Sequence, residues 1–167
     1  VPVNQARPED GWPAVLLIPG PASADRDGTL SGVPVFGQVA GNLAESGFLV
    51  ARYDRRGVGR SGGRPESAGM NDYADDALSM VKYLDNRKDV NQDRIAVLGH
   101  AEGGWTALIA ASRERRIDSL VLIGTASTTG AELVMEQQRT ALDKISVSVD
   151  ERSKKIALQQ RILSAVL

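Results

Sequence analysis

Apolar residues gather in four short, nearly unbroken runs, residues 14–18, 48–53, 94–98 and 119–123. Each is rich in Val, Leu, Ile and Ala instead of alternating with polar residues, which is the pattern of parallel strands covered on both faces. Between them the period changes to helical. Val35, Phe36, Val39, Ala40, Leu43 and Ala44 share one face, and Gly47 supplies a left-handed stop. Tyr73, Ala77, Met80, Val81 and Leu84 do the same behind a cap expected at Asn71 or Asp72. A third helix is expected from about Gly103, carrying Trp105, Leu108, Ile109 and Ala111 into the charged turn Arg113-Glu114-Arg115-Arg116. Strand and helix in strict alternation predict an α/β fold with a parallel sheet and helices on both faces.

The texture changes after Gly124. Residues 131–145 and 150–167 are polar, rich in Gln and Lys, and helical in period, with no strand-like run. The organisation expected is therefore an α/β core over residues 1–125 and a helical lid or cap over 126–167. No Gly, Pro or polar tail ends the last helical stretch, and Val1 to Val3 reads as the tail of a strand, so the chain is expected to be the N-terminal part of a larger domain.

Charge and composition narrow the partners. With 20 basic and 21 acidic residues the net charge is −1, too small a field to attract a phosphate backbone or an anionic lipid surface. Neither nucleic acid nor membrane is an expected partner. There is no cysteine, hence no disulfide framework and no thiolate metal site, and either the cytoplasm or the periplasm fits such a chain. One histidine and scattered carboxylates offer no metal-ligand spacing, so no metal is expected.

Chemistry is concentrated where the third strand runs out. Gly99-His100-Ala101-Glu102-Gly103-Gly104 takes a buried strand directly into a helix. Glycines two residues either side of Ala101 permit a strained turn and a close helix-to-strand approach, the layout of a nucleophile elbow, in which the backbone N–H after the tip stabilises an oxyanion. Here the tip is a methyl group, which cannot attack a carbonyl. Taken alone, the segment also fits a strand-to-helix turn of a flavodoxin-like or Rossmann-like fold.

Two further motifs reduce that ambiguity. The first strand leads into Gly20-Pro21-Ala22-Ser23-Ala24-Asp25-Arg26-Asp27-Gly28, and the second into Tyr53-Asp54-Arg55-Arg56-Gly57-Val58-Gly59-Arg60-Ser61. Gly57-x-Gly59-x-x-Gly62 formally matches a dinucleotide fingerprint, but Gly63-Arg64-Pro65-Glu66 continues as loop instead of opening a helix over a pyrophosphate. No cofactor is expected. Asp54 and Arg55 are read as bracing the loop through ion pairs or backbone hydrogen bonds.

In this order, over about residues 12–125, the three motifs resemble bacterial α/β-hydrolases of the serine-esterase and prolyl-peptidase-like type, in which position 101 is serine. The resemblance implies that the strand at 14 lies between those at 48 and 94, with the strand at 119 outside the latter. It implies a small ester or a peptide-like substrate handled through an acyl-enzyme, with Ala101 in the nucleophile position and the Glu102 N–H in the oxyanion hole. It places a second oxyanion donor in the loop of Gly20 and Ala22, where Pro21 has no N–H to give. Arg26 is a candidate substrate contact, with an ion-pair role as its alternative, while Gly99, His100, Gly103, Gly104, Asp54, Arg55, Gly57 and Gly59 are structural. The triad acid and base come from later strands, expected in the remaining C-terminal part of the domain. Three readings follow: a serine hydrolase whose nucleophile has been replaced, a natural pseudoenzyme that uses the pocket for binding, and a non-hydrolytic α/β domain.

Overall fold

The computed structural model describes residues 1–20 and 25–166. In chain order the first unit contains β1 (Trp12–Ile18), β2 (Thr29–Leu30), β3 (Val33–Pro34), α1 (Val35–Glu45), β4 (Leu49–Arg52), α2 (Met70–Asp85), β5 (Val90–His100), α3 (Glu102–Arg113) and β6 (Ile117–Ile123). Four of these strands form one sheet in the order β4-β1-β5-β6, every pair parallel. This is the strand order expected from the sequence, with the run at 14–18 in the centre.

Alternation along β1 divides the core in two. Trp12, Ala14, Leu16 and Ile18 point to one face, where Ala77, Val81 and Leu84 of α2 and Ala107 and Ala110 of α3 pack on them. Val15 and Leu17 point to the other, against Phe36 and Ala40 of α1. Leu16 and Leu17 are both fully buried, so the central strand has no solvent face and needs no polar alternation. Helix α1 ends as the glycine at 47 requires: its φ is +90°, and the N–H groups of Gly47 and Phe48 reach back to the carbonyls of Ala44 and Leu43 at 3.1 and 3.0 Å.

Several expectations are corrected. Within the described residues the strand at 119–123 is not covered on both faces: β6 pairs with β5 alone, and Val121, Leu122 and Ile123 are 42–47% exposed. Helix α2 is capped at Gly69, one residue before Met70, instead of at Asn71 or Asp72; Asp72 accepts a hydrogen bond from the Gly69 N–H at 2.8 Å. Strand β5 begins four residues sooner than its apolar run, because Val90 pairs with Trp12 before the polar stretch 91–94. The antiparallel hairpin β2–β3 was not foreseen. It turns at Ser31 and Gly32, with φ of 49° and 82°, a two-residue turn with both central residues left-handed.

Residues Ala126–Leu167 form a second compact unit. It holds α4 (Gly130–Asp143) and α5 (Val149–Val166). Thr129 and Glu132 cap α4 reciprocally, the Glu132 N–H donating to the Thr129 hydroxyl and the Thr129 N–H to the Glu132 carboxylate. Arg152 of α5 pairs with Asp143 of α4 at 2.5 Å. No helix among the described residues is long and apolar enough to cross a membrane.

Candidate active site

Ala101 stands alone between the last residue of β5 and the first of α3, with φ 52° and ψ −119°. A left-handed φ is strained for alanine, which has no polar side chain to bond its own backbone. The surroundings enforce it. The Ala101 N–H donates to the carbonyl of Ile123 on β6 at 2.9 Å, and its carbonyl accepts from the Gly104 N–H at 3.0 Å. A Cβ at Gly99 would lie 2.4 Å from the Gly103 carbonyl oxygen, and one at Gly103 would lie 2.3 Å from that of Ile18. One at Gly104 would meet the Thr125 hydroxyl. The three glycines thus let α3 descend onto the sheet, and Ala101 takes up the bend.

Glu102 is the first residue of α3, so its N–H has no acceptor within the helix and points from the positive end of the helix dipole. Gly20, two residues past the end of β1, closes on the same turn: a Cβ there would be 3.0 Å from the His100 carbonyl oxygen and 3.1 Å from the Ala101 methyl. Pro21 and Ala22 lie outside the described residues. The His100 ring packs edge-on to Phe36 of α1, ring centres 6.4 Å apart.

The loop after β4 is organised by charge. Asp54 is buried, and it accepts from the Arg26 backbone N–H at 2.9 Å, from the Arg26 guanidinium at 3.1 and 2.6 Å, and from the Arg60 N–H at 3.3 Å. The Arg26 guanidinium, helped by those N–H groups, holds the Asp54 carboxyl well below the usual carboxylate range. Gly59 makes room for this: with φ +55°, a Cβ would stand 2.5 Å from an Asp54 carboxylate oxygen. At Gly57 a Cβ would stand 2.5 Å from the Pro65 ring. The glycine spacing therefore wraps a turn around a carboxylate, and the chain goes on through turn and bend to a short 3-10 segment at Pro65–Ser67. No helix opens there for a dinucleotide.

Arg55 and Asp54 do not pair with each other. Arg55 donates to the Glu102 carboxylate at 3.0 Å, and its guanidinium lies 4.1 Å from the Tyr73 ring centre. Arg56 takes Asp76 with two hydrogen bonds of 2.8 Å and also donates to the Asp72 carbonyl at 3.0 Å. An open depression of about 600 Å³ beside the turn is bordered by Arg55, Val58, Met70, Tyr73 and Glu102. The sequence reading missed Tyr73, Asp76 and the Arg55–Glu102 pair as site elements; residues 47 apart carry no periodic or motif signal of their meeting. Among the described residues no group of three or more His, Cys, Asp or Glu side chains could hold a metal ion.

Residues 28–164 match the family described as "Serine aminopeptidase, S33". The chain is 31% identical over 137 residues to an esterase, EstD, of Thermotoga maritima, covering 82% of this chain and 32% of that protein. It is 42% identical over 78 residues to the putative carbamate hydrolase RutD of Agrobacterium fabrum, covering 46% and 28% respectively. The crystal structure of the hypothetical protein PA2218 from Pseudomonas aeruginosa superposes with a TM-score of 0.65 at 26% identity, over 99% of this chain and 47% of that one. The α/β hydrolase GrgF from Penicillium has the same fold, with a TM-score of 0.64 at 22% identity over 86% of this chain and 46% of its own. The chain thus spans about a third of the length of these curated relatives and about half of these solved structures.

Proposed function

Because the chain belongs to the serine aminopeptidase S33 family of α/β-hydrolases, an esterase-like group, we propose that it carries the nucleophile elbow of a serine-type hydrolase of carboxylic esters, amides or peptides. Ala101 holds the nucleophile position. The observation that carries this reading is the backbone of Ala101, φ 52° and ψ −119°, at the entry of a helix whose first N–H, that of Glu102, is without an intrahelical acceptor.

In the serine form the chemistry runs through an acyl-enzyme. The seryl oxygen adds to the substrate carbonyl carbon while its proton passes to a general base, and the Glu102 N–H stabilises the oxyanion, with a second donor from the loop after Gly20. Collapse expels the alcohol or amine, which takes up that proton; water then repeats the addition and releases the acid. The base and its orienting acid are assigned to polypeptide outside residues 1–167, since His100, the one histidine, packs on Phe36. Residues 126–167 are assigned as a lid. The chain with Ala101 is inactive on this reading.

Ala101→Ser tests it, made both in the 167-residue chain and in a longer protein of the length of the relatives. Carboxylic esters of short acids come first, and carbamates, the class in the name of the Agrobacterium relative, form a second series. The longer seryl protein is expected to turn over short esters and to react with a fluorophosphonate. The seryl 167-residue chain is expected to do neither, because general-base catalysis supplies about two to four orders of magnitude. Equal labelling of both would overturn the assignment of the base. No reaction in the longer seryl protein would favour a pseudoenzyme that keeps the pocket for binding.

A further inference from the structure

We infer that Arg55 is a positioning residue for the oxyanion donor, acting through the side chain of Glu102; this rests on the role just proposed for the Glu102 N–H. A helix-opening N–H points where the first turn of its helix points, and first turns fray. Here the first residue is tied down by its own side chain. The Glu102 carboxylate accepts from Arg55 at 3.0 Å, and Arg55 is itself only 13% exposed.

The other side of Arg55 is fixed as well. Its guanidinium carbon stands over Tyr73, 4.1 Å from the ring centre, and Tyr73 sits in the first turn of α2. The next residue, Arg56, grips Asp76 one turn further along the same helix with two bonds. The loop after β4 is therefore bolted to α2 by Arg56 and extends one bolt, Arg55, to the start of α3. Arg56 bonds Asp76 and Asp72 of α2, while the hydrogen bond to Glu102 comes from Arg55, so the two neighbouring arginines divide the work: Arg56 ties the loop to α2, and Arg55, seated on Tyr73, reaches residue 102 through its own contacts.

A guanidinium suits this task, being planar enough to stack on the ring while its edge donates to a carboxylate. A carboxylate in the first turn is also favoured by the helix dipole, so Glu102 is held at both its charge and its backbone. With the side chain pinned at one end and the Ala101 carbonyl bonded to the Gly104 N–H at the other, the peptide between residues 101 and 102 has little freedom to turn.

Two measurements test this, one of which needs no catalysis. In the 167-residue chain labelled with 15N, Arg55→Gln is expected to shift and broaden the amide signals of Glu102 and Gly103. Arg55→Lys should restore them in part, and Arg56→Gln should lower stability while leaving those two signals sharp. In the longer protein carrying Ala101→Ser, Arg55→Gln should lower kcat for a short ester about tenfold with KM within about twofold, a loss of transition-state contact alone; complete loss of an oxyanion donor costs about a hundredfold to a thousandfold. Added to Glu102→Gln, the Arg55→Gln change should cost nothing more. Unchanged Glu102 and Gly103 signals in Arg55→Gln, or the same broadening in Arg56→Gln, overturn the inference. Broadened signals specific to Arg55→Gln, together with a seryl protein that turns over no ester, would uphold Arg55 as the support of residue 102 and reject the hydrolase reading instead.

Discussion

Replacing Ala101 by glycine should stabilise the protein, against the usual direction for an alanine. At φ 52° and ψ −119° residue 101 occupies a region sparsely populated by anything but glycine, where a residue with a Cβ carries about 1–3 kcal/mol of strain. Glycine relieves this and loses about 0.5–1 kcal/mol through the greater freedom of its unfolded chain. The methyl group removed is only partly buried, so its packing is a fraction of the ~0.8 kcal/mol of a fully buried carbon. The balance is a gain of about 1 kcal/mol, or a rise in Tm of about 2–4 °C for a chain of this size. Urea unfolding followed by tryptophan fluorescence is the suitable assay, since Trp12 and Trp105 both lie in the first unit and report on the sheet. Ala101→Val should move the other way by about 2 kcal/mol or more, a β-branched side chain being a true outlier at positive φ. A loss of 0.5–1 kcal/mol in Ala101→Gly, the ordinary cost of an exposed Ala-to-Gly change, would show that the turn is not strained and would refute the reasoning.

Two other glycines should respond oppositely to alanine. Gly103→Ala should destabilise by about 3 kcal/mol or prevent folding, because its Cβ would fall on the Ile18 carbonyl, whereas Gly41→Ala, in α1 with open space around it, should stabilise by about 1 kcal/mol in the same urea assay. Asp54→Asn should cost about 1–2 kcal/mol at neutral pH, the roughly 1.5–3 kcal/mol of a hydrogen bond to a charged group discounted for screening, since Arg26 is half exposed. The folded carboxyl of Asp54 titrates below its unfolded counterpart, so its stabilisation is complete above about pH 4 and drains away as the pH falls further. The stability difference between the two proteins should accordingly be constant from pH 5 to 8 and shrink on acidification; a constant difference down to pH 2 would mean that Arg26 does not hold the ionised form.

What the sequence disclosed and what it withheld follow from the range of the forces involved. The four strands of the sheet were legible because β1 is buried on both faces and leaves an unbroken apolar run, and the helices because a single buried face repeats every three to four residues. Polarity hid the start of β5, where residues 91–94 leave the ladder between Val90 and Ile95. The hairpin at 29–34 was hidden by its size, two residues a side, with the Ser31-Gly32 turn as its one local signal. At the candidate site the glycines were legible by spacing, but each ion-pair partner was not: Asp54 takes Arg26, 28 residues away, and Arg55 takes Glu102. The motif's charges do brace the loop, but their partners lie in the loop before β2, at the start of α3 and in α2, which no spacing in the sequence announces.

The frame of the turn and the chemistry proposed for it are separable. Residue 101 is bent by its neighbours: β6 holds its N–H, Gly104 holds its carbonyl, and Gly99 and Gly103 bring helix and strand to a distance that no larger residue allows. None of these contacts involves the side chain at the tip. An alanine there inherits the strain of the position without a hydroxyl to use it, and a serine would inherit the same backbone, the same Glu102 N–H and the same tie from Arg55. Nucleophilicity is a different matter, because it depends on a base within reach of the hydroxyl, and His100 is turned to Phe36. On the proposed reading the backbone is complete in a chain that performs no reaction, and activity would take two additions that act on different terms: a hydroxyl at 101, which supplies the attacking atom, and a base, which makes it attack.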